Sequence, residues 1–281
     1  MARFKASLIQ MCSGTSVQRN IADMEDLVRQ AASGGADYIQ TPEMTGLVQQ
    51  ERDGFFASIE TANNDPVSKR ASELAKELGV VLHIGSTPIA TGKGKAVNRA
   101  LLFDRDGQLS ASYDKIHMFD VDLDNGESWR ESAVYQPGET AVSLPVLGSH
   151  MALTICYDVR FPELHKFHAQ NGVDVLTGPS CFTRQTGQAH WHVLLRARAI
   201  ENGAFMLAAA QGGDHEDGRT TFGHSIVINP WGEVIAELAN EDPGIIFANI
   251  DTEESNAARA KVPNLKNGRR FSADDLVGKV A

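Results

Sequence analysis

A pattern of strands, helices and glycine turns that occurs twice along the chain constrains its fold more than any other feature. The stretch Gly35-Ala-Asp-Tyr-Ile-x-x-Pro42 resembles Gly172-Val-Asp-Val-Leu-x-x-Pro179. Two further glycine-centred stretches recur in the same order, pairing Gly79 with Gly203 and Gly107 with Gly232. Helix–glycine–strand junctions look alike in any α/β protein, which leaves a chance likeness open. The alternative that we expect is one domain built from two similar halves.

Hydrophobic periodicity predicts the elements of this pattern. Two amphipathic helices are predicted from about Val17 to Ser33 and from about Pro66 to Leu78, and a glycine follows each. Short apolar runs predict strands over 4–11, 36–40, 80–85, 151–155 and 244–250, and residues 97–113 predict a hairpin that turns at Asp106-Gly107. Strands that alternate with helices favour an α/β sheet covered by helices.

The length of 281 residues suits one large domain or two small ones. No Pro/Ser-rich linker divides the chain, so we predict a single domain over residues 1–281. Its core is expected at about 3–250. The polar, charged tail over 251–281 is expected either to wrap a partner subunit or to be loose.

Charge and composition exclude several classes of function. The 26 Lys and Arg residues against 36 Asp and Glu residues leave a net charge of −10, the wrong sign for a nucleic-acid or anionic-membrane binder. No apolar run is long enough to span a bilayer, and the start of the chain does not resemble a signal peptide. The three cysteines, widely spaced, predict a reduced, cytoplasmic protein without a disulfide framework.

Cys156 lies where a strand is predicted to turn into a helix. The apolar run Met151-Ala-Leu-Thr-Ile155 precedes it, and Pro162 suits the first turn of a following helix. Such a turn exposes a nucleophile and aims backbone amides at the atom it attacks, and a helix N-terminus favours a thiolate. The residues alone leave this interpretation about even with a buried structural cysteine.

Three charged residues are further candidates. Glu43 follows a predicted strand in Thr41-Pro42-Glu43, at the sheet edge where ligands of α/β proteins bind. Lys115 follows the predicted hairpin among Tyr, Ile, Met and Phe residues, and Glu131 lies in Trp129-Arg130-Glu131-Ser132. Taken one at a time, each could equally be an ordinary solvated side chain.

Three separated motifs together resemble the nitrilase superfamily of carbon–nitrogen hydrolases. They are Thr41-Pro42-Glu43, Tyr113-Asp114-Lys115-Ile116-His117 and Leu153-Thr-Ile-Cys156-Tyr-Asp-Val-Arg160-Phe-Pro-Glu163-Leu. The resemblance extends from the first strand to about residue 250. It implies an α/β fold, a four-layer α-β-β-α sandwich with internal pseudo-two-fold symmetry, and a homodimer or higher homo-oligomer.

The resemblance also implies roles for individual residues. Cys156 would be the nucleophile, Glu43 the general acid/base, and Lys115 with the backbone amide of Tyr157 the oxyanion site. Glu131 would be a second carboxylate that holds Lys115 and orients the amide of the substrate. No cofactor and no metal is implied; His165-Lys-Phe-His168 and His190-Trp-His192 lack the spacing of a zinc-binding helix pair.

Other stretches narrow the expected substrate. Arg130-Glu131-Ser132-Ala133, 189–201 and 223–232 resemble the deaminated-glutathione amidases more than the ω-amidases. The predicted reaction is hydrolysis of a primary amide of a small carboxylate-bearing metabolite to acid and ammonia, through a Cys thioester, with deaminated glutathione as the best candidate. Alternatives are an ω-amidase on 2-oxoglutaramate, an N-carbamoyl amino acid hydrolase, a nitrilase, or a catalytically silent binding protein on this scaffold. Cys181 departs from the family, which more often has alanine there.

A carboxylate on the substrate calls for a cation in the pocket. Arg160, four residues after Cys156, is the first candidate, with a salt bridge to Glu163 or Glu131 as the open alternative. Arg184 and Arg219 are further candidates. The acidic segment 214–218 lacks the spacing of a calcium loop, so a solvated loop is predicted there.

Overall fold

A computed structural model describes residues 2–123, 126 and 128–271 of the chain. Over these residues the strands are β1 Arg3–Gln10, β2 Tyr38–Gln40, β3 Val81–Ala90, β4 Ala96–Phe103, β5 Leu109–Asp114, β6 Asp120–Asp122, β7 Ser128–Arg130, β8 Val142–Val146, β9 Ser149–Leu153, β10 Val175–Thr177, β11 Phe205–Ala208, β12 Gly212–Asp214, β13 Thr220–Phe222, β14 Ile226–Ile228, β15 Val234–Glu237 and β16 Gly244–Asp251. The helices are α1 Val17–Ser33, α2 Arg52–Ser58, α3 Pro66–Leu78, α4 Pro162–Gln170, α5 Arg184–Asn202, α6 Glu253–Lys261 and α7 Asn264–Asn267. Short 3₁₀ turns cover Glu131–Ala133 and Cys156–Arg160.

Two six-stranded sheets in the described part of the chain have matching topologies. The first has the order β16-β1-β2-β3-β4-β5 and the second the order β8-β9-β10-β11-β14-β15. In both sheets the second, third and fourth strands are parallel to one another, and the remaining pairs of neighbouring strands are antiparallel. The repeat predicted from the glycine-centred stretches is therefore confirmed as two halves of equivalent topology.

Three apolar cores hold four layers together. Leu8 and Ile9 are neighbours in β1 and point to opposite faces of the first sheet, as successive strand residues must. Leu8 packs between the two sheets with residues such as Phe205, whereas Ile9 packs on the outer face in the core that includes Met24 of α1. Trp191 of α5 covers the outer face of the second sheet. The α-β-β-α sandwich that the resemblance implied is thus the observed fold.

Local signals set the ends of the two predicted helices. The side chain of Ser16 accepts a hydrogen bond from the backbone N–H of Arg19 at the start of α1. Asp65 caps α3 in the same way, and Gly79 ends it with a φ of 65°, a left-handed conformation that favours glycine. Both helices have the bounds that the sequence predicted.

The segment after β16 differs in part from the two options that the sequence left for the tail. Residues 253–261 form α6, in which the Ser255 hydroxyl donates to the Asp174 carbonyl and the Arg259 guanidinium donates to the carbonyls of Val173 and Asn202. This helix packs on the second half of its own chain, so it is not loose. Residues 272–281 of the predicted tail lie outside the described residues.

Buried histidines make stability sensitive to acid. Burial lowers the pKa of His83 to about 3 and the pKa values of His165 and His168 to about 4. Since an unfolded histidine titrates near 6.5, the unfolded chain binds more protons, and the free energy of unfolding should decrease as the pH falls below about 6.5. Asp65, whose pKa burial raises to about 6, takes up a proton in the native state and offsets part of this loss.

The variant His168→Phe tests this expectation because neither ring nitrogen of His168 has a hydrogen-bond partner among the described residues. It should weaken the dependence of the unfolding free energy on pH by about 1.4 kcal/mol per pH unit near pH 5, the value for one proton. Urea unfolding at several pH values measures this slope. An unchanged slope would show that His168 is not held neutral in the native protein.

Among the described residues, no helix combines the length and the apolar composition required to cross a bilayer.

Candidate active site

Cys156 occupies a strained turn between β9 and α4. Its φ is 49°, a left-handed value that is uncommon for a residue with a Cβ, and its N–H donates to the carbonyl of Pro179 at 2.9 Å. A 3₁₀ turn begins at Cys156, and α4 begins at Pro162. The predicted strand-to-helix elbow is therefore present, and strain of this kind is often concentrated at functional sites.

The buried carboxylate of Asp158 fastens this turn to the segment that carries Lys115. One oxygen accepts the N–H of Ile155 at 2.9 Å and the Tyr113 hydroxyl at 2.6 Å. The other oxygen accepts the backbone N–H of His117 at 3.1 Å and lies 2.7 Å from its Nδ1. Hydrogen bonds to a charged, fully buried group are strong, so the turn at Cys156 and the segment 113–117 are held in fixed positions relative to each other.

Glu43 and Lys115 meet although 72 positions separate them. Glu43 follows β2 and Lys115 follows β5, and both side chains are almost completely buried. The Lys115 Nζ donates to Glu43 Oε1 at 2.8 Å, and the other oxygen of Glu43 accepts the backbone N–H of Cys181 at 2.7 Å. Since β4 is antiparallel to both β3 and β5, β5 runs in the same direction as β2, and the carboxyl ends of β2 and β5 bring the two predicted residues to one edge of the sandwich.

Glu131 completes this cluster from the 3₁₀ turn after β7. Both of its oxygens lie 2.9 Å from the Lys115 Nζ, and Oε2 also accepts the N–H of Phe119 at 2.7 Å. Asn98, in β4, donates to Glu43 at 2.9 Å and to Glu131 at 3.3 Å. Asn98 was not among the predicted site residues; the available signal was an amide in a mostly apolar strand.

The charges of the cluster determine the resting proton positions. Burial alone would lower the pKa of Lys115, but Glu131 and Glu43 raise it well above its ordinary value, so the ammonium is retained. The pKa of the Cys156 thiol is also well above its ordinary value, first because the group is buried and then because of the negative charge of Glu43. Cys156 therefore rests as a neutral thiol beside a base.

The cluster faces a cavity of about 270 Å³. Cys156, Glu43, Lys115 and Glu131 all line it, as do the aromatic residues Phe119, Trp129, Tyr135, Tyr157 and Phe182. The volume lies at the lower end of small-molecule sites, which are about 300–1,000 Å³. The site therefore suits a compact metabolite and not a polymer.

Cys181 borders the same cavity. Its backbone N–H donates to Glu43, and burial raises the pKa of its thiol to about 12. The neutral thiol contributes to the shape of the cavity and accepts a weak hydrogen bond from Arg219.

The three candidate arginines occupy different environments. Arg219 lines the cavity, whereas Arg184 is held outside its lining by the carboxylates of Glu241 and Asp214. Arg160 is also outside the lining residues, where its guanidinium lies over the rings of Tyr157 and Phe182 and contacts His190. Among the described residues, Arg160 forms no salt bridge with Glu163 or Glu131.

The segment 214–218 corrects one expectation, since part of it is buried. The side chain of Asp217 is only 2% exposed and lies against Arg219, and His215 is buried against Ser13 and Thr221. The prediction of a solvated loop is confirmed for Asp214, Glu216 and Gly218, which are exposed, and is wrong for His215 and the side chain of Asp217. Across the described residues, no three His, Cys, Asp or Glu side chains converge in a way that could hold a metal ion.

Comparisons with known proteins agree with this geometry. The carbon–nitrogen hydrolase family model matches residues 5–260. A deaminated glutathione amidase from Yersinia enterocolitica is 37% identical over 279 residues, covering 97% of this chain and 96% of that protein. An omega-amidase from Homo sapiens is 32% identical over 269 residues, covering 96% of each chain.

Solved structures show the same architecture. The NitFhit protein of C. elegans superposes with a TM-score of 0.89 at 30% identity; the match covers 96% of this chain and 66% of the NitFhit chain. A mutant of the amidase from Nesterenkonia sp. AN1 superposes with a TM-score of 0.80 at 25% identity, covering 95% and 94% of the two chains. That structure shows covalent addition of the acetamide moiety of fluoroacetamide at the active-site cysteine.

Proposed function

The chain belongs to the carbon–nitrogen hydrolase family and is an amidase of the nitrilase superfamily, and from that premise we propose that Cys156, Glu43 and Lys115 are its catalytic residues, with deaminated glutathione as the preferred substrate. The observation that carries the proposal is the buried lysine clamped between two carboxylates beside a cysteine on a strained elbow. The active-site cysteine of the Nesterenkonia amidase supports the same role for Cys156.

The first half-reaction forms a thioester. Glu43 takes the proton of the Cys156 thiol as Sγ attacks the amide carbonyl carbon, and the resulting tetrahedral intermediate carries a negative oxygen. Glu43 then gives that proton to the amide nitrogen, and the C–N bond breaks to release the amine. A base is required because the buried thiol is neutral at rest.

Lys115 and the backbone N–H of Tyr157 are proposed to stabilise the negative oxygen. A lysine ammonium has three N–H donors, and Lys115 directs them at Glu43 and at both oxygens of Glu131. Turning one donor from Glu131 toward the oxyanion leaves the contact with Glu43 in place. Glu131 is proposed to keep the ammonium in position and to orient the amide of the substrate.

The second half-reaction hydrolyses the thioester. Glu43 takes a proton from a water molecule, the hydroxide attacks the thioester carbon, and the C–S bond breaks as Glu43 returns the proton to sulfur. The products are a carboxylic acid and the free enzyme. One carboxylate thus serves both steps, which is consistent with its contacts to Lys115, Asn98 and the Cys181 N–H on three sides.

Two of the candidate substrates share the same acyl group but release different products from the nitrogen side. Deaminated glutathione and 2-oxoglutaramate both contain a 2-oxoglutaryl group joined to nitrogen. In deaminated glutathione that nitrogen belongs to cysteinylglycine, so it is a secondary amide and its hydrolysis releases the dipeptide. The predicted release of ammonia from a primary amide therefore applies to 2-oxoglutaramate and not to deaminated glutathione.

Parallel assays separate the possible activities. We expect the highest kcat/KM with deaminated glutathione, measured as release of cysteinylglycine, and lower values with 2-oxoglutaramate, an N-carbamoyl amino acid and an aliphatic nitrile, measured as ammonia. A preference for 2-oxoglutaramate would identify an ω-amidase with the same mechanism, as the omega-amidase relative allows. Absence of turnover with every compound would favour the silent binding protein.

A homodimer or higher homo-oligomer is also proposed. Phe167 on α4 and Val193 and Ile200 on α5 are each more than half exposed, which suits a face covered by a second copy. Light scattering would measure the mass in solution. The cytoplasmic location and the single-domain organisation stay predictions.

A further inference from the structure

We propose that the guanidinium of Arg219 binds the carboxylate of the acyl half of the substrate and thereby selects acids over neutral amides. The inference rests on the proposed amidase function and names a residue that binds the end of the substrate opposite the amide. Its ligand class is a short ω-amide with a carboxylate about four bonds from the scissile carbonyl carbon.

The environment of Arg219 suits an anion-binding group. The side chain is only 15% exposed, lines the cavity, and lies with its guanidinium carbon 4.7 Å from the centre of the Trp129 ring. Stacking on an aromatic face fixes a guanidinium without using its N–H groups. The remaining contacts are weak: Nη1 lies 3.8 Å from the Cys181 sulfur, and Nε has no hydrogen-bond partner within the part of the chain that the structure describes.

Asp217 is the acidic neighbour of Arg219 and does not satisfy it. The Nη2–Oδ2 distance is 3.7 Å, beyond hydrogen-bond length, and this oxygen of Asp217 also lacks a hydrogen-bond partner among residues 2–123, 126 and 128–271. The pair therefore compensates the buried charge while leaving N–H donors of the guanidinium available. A carboxylate in the cavity could accept two of these donors side by side.

Arg219 is connected to the reaction centre through a single residue. The sulfur of Cys181 lies 3.8 Å from Nη1 of Arg219, and the backbone N–H of Cys181 donates to Glu43. A carboxylate four carbon–carbon bonds from an amide carbon lies about 5 Å from it when extended. In the proposed complex the amide carbon of such an acyl group lies at Cys156 and its carboxylate at the guanidinium of Arg219, since both residues line the cavity.

The balance of charge explains why a cation is required here. Glu43 and Glu131 outnumber Lys115, so the reaction centre repels an incoming anion unless a second cation compensates. The other arginines lining the cavity are engaged elsewhere. Arg130 binds both carboxylate oxygens of Asp122 at 2.9 Å, and Arg52 is exposed and donates to the Ala133 carbonyl at 3.4 Å.

The decisive experiment compares two amides that differ only at the far end. Glutaramate and pentanamide are five-carbon primary amides, ending in a carboxylate and a methyl group respectively, and both release ammonia. For Arg219→Gln we expect kcat/KM for glutaramate to fall about 100-fold, mainly through KM, while the value for pentanamide changes by less than about threefold. Arg219→Lys should recover about tenfold of the lost kcat/KM for glutaramate, because lysine restores the positive charge but not the planar pair of N–H donors of the guanidinium.

Two further variants and one binding measurement complete the test. Arg184→Gln alters an arginine that contacts the β12–β13 hairpin through Asp214. It should leave the ratio of the kcat/KM values for glutaramate and pentanamide unchanged. Arg160→Gln tests the arginine that the sequence favoured for binding the carboxylate of the substrate. Calorimetric binding of glutarate should weaken about 100-fold in Arg219→Gln even if turnover is slow.

The outcomes separate this inference from the proposed function. If Arg219→Gln lowers kcat/KM for both amides equally, or if only Arg160→Gln separates them, the assignment of Arg219 is wrong while the amidase function stands. If the wild-type protein hydrolyses neither amide nor deaminated glutathione, the proposed function fails, and glutarate binding alone decides the role of Arg219. Equal glutarate affinity in wild type and Arg219→Gln would overturn the assignment of Arg219 as the carboxylate-binding residue.

Discussion

Replacement of Cys156 by alanine is expected to lower kcat for deaminated glutathione by about 10⁵-fold while leaving the fold intact. Removal of the nucleophile from a comparable covalent mechanism costs about 10⁶-fold, and binding with the oxyanion site supplies the residual rate. The side chain of Cys156 is small and lines the cavity, so alanine creates little empty volume. Single-turnover assays measure the loss, and circular dichroism with thermal unfolding checks the fold.

Cys181→Ala is the matched control for this prediction. Cys181 lines the same cavity and contacts Glu43 through its backbone N–H, which alanine retains. We therefore expect kcat to stay within about tenfold of wild type. Substantial turnover by Cys156→Ala, or loss of turnover in a well-folded Cys181→Ala, would show that the nucleophile has been assigned to the wrong cysteine.

Replacement of Lys115 by methionine is expected to affect both turnover and stability. Loss of an oxyanion donor typically lowers kcat about 10²–10³-fold. Because Glu43 and Glu131 would lose the ammonium that both of them contact, the free energy of unfolding should also fall by about 3–5 kcal/mol at neutral pH. Urea unfolding measures the second effect, and steady-state kinetics measures the first.

The pH dependence of the Lys115→Met variant supplies an internal check. Without the ammonium, protonation of a carboxylate relieves the buried charge, so lowering the pH toward 5 should recover part of the lost stability. Lys69→Ala, at an exposed position of α3, should stay within about 0.5 kcal/mol of wild type. Turnover within tenfold of wild type in Lys115→Met would rule out the oxyanion role.

The elements that local sequence specifies were predicted well. Ser16, Asp65 and Gly79 carry the capping signals of α1 and α3, and both helices have the predicted bounds. Other elements depend on contacts distant in sequence. Helix α2 and the β6–β7 hairpin are short and lack a periodic apolar pattern, so their sequences resemble loops.

Within the site, residues that belong to continuous motifs were found and isolated ones were missed. Asn98 lies in β4, far from any motif, and only the packing of β4 beside the cluster shows that it contacts Glu43 and Glu131. Asp158 was visible in the Cys156 motif, but its link to Tyr113 and His117 depends on two separate segments meeting.

The sequence by itself predicted the repeated halves and the two helices α1 and α3, because these follow from local periodicity and turn residues. Its contiguous motifs, through the family that they resemble, led to the proposal of Cys156, Glu43 and Lys115 as catalytic residues. Only the tertiary structure decided which side chains share the cavity. Arg160 is the first candidate cation in the sequence, yet of the three candidate arginines only Arg219 lines the cavity, beside Cys181. That choice depends on how the β12–β13 hairpin packs against the two sheets, a long-range arrangement that no local pattern encodes.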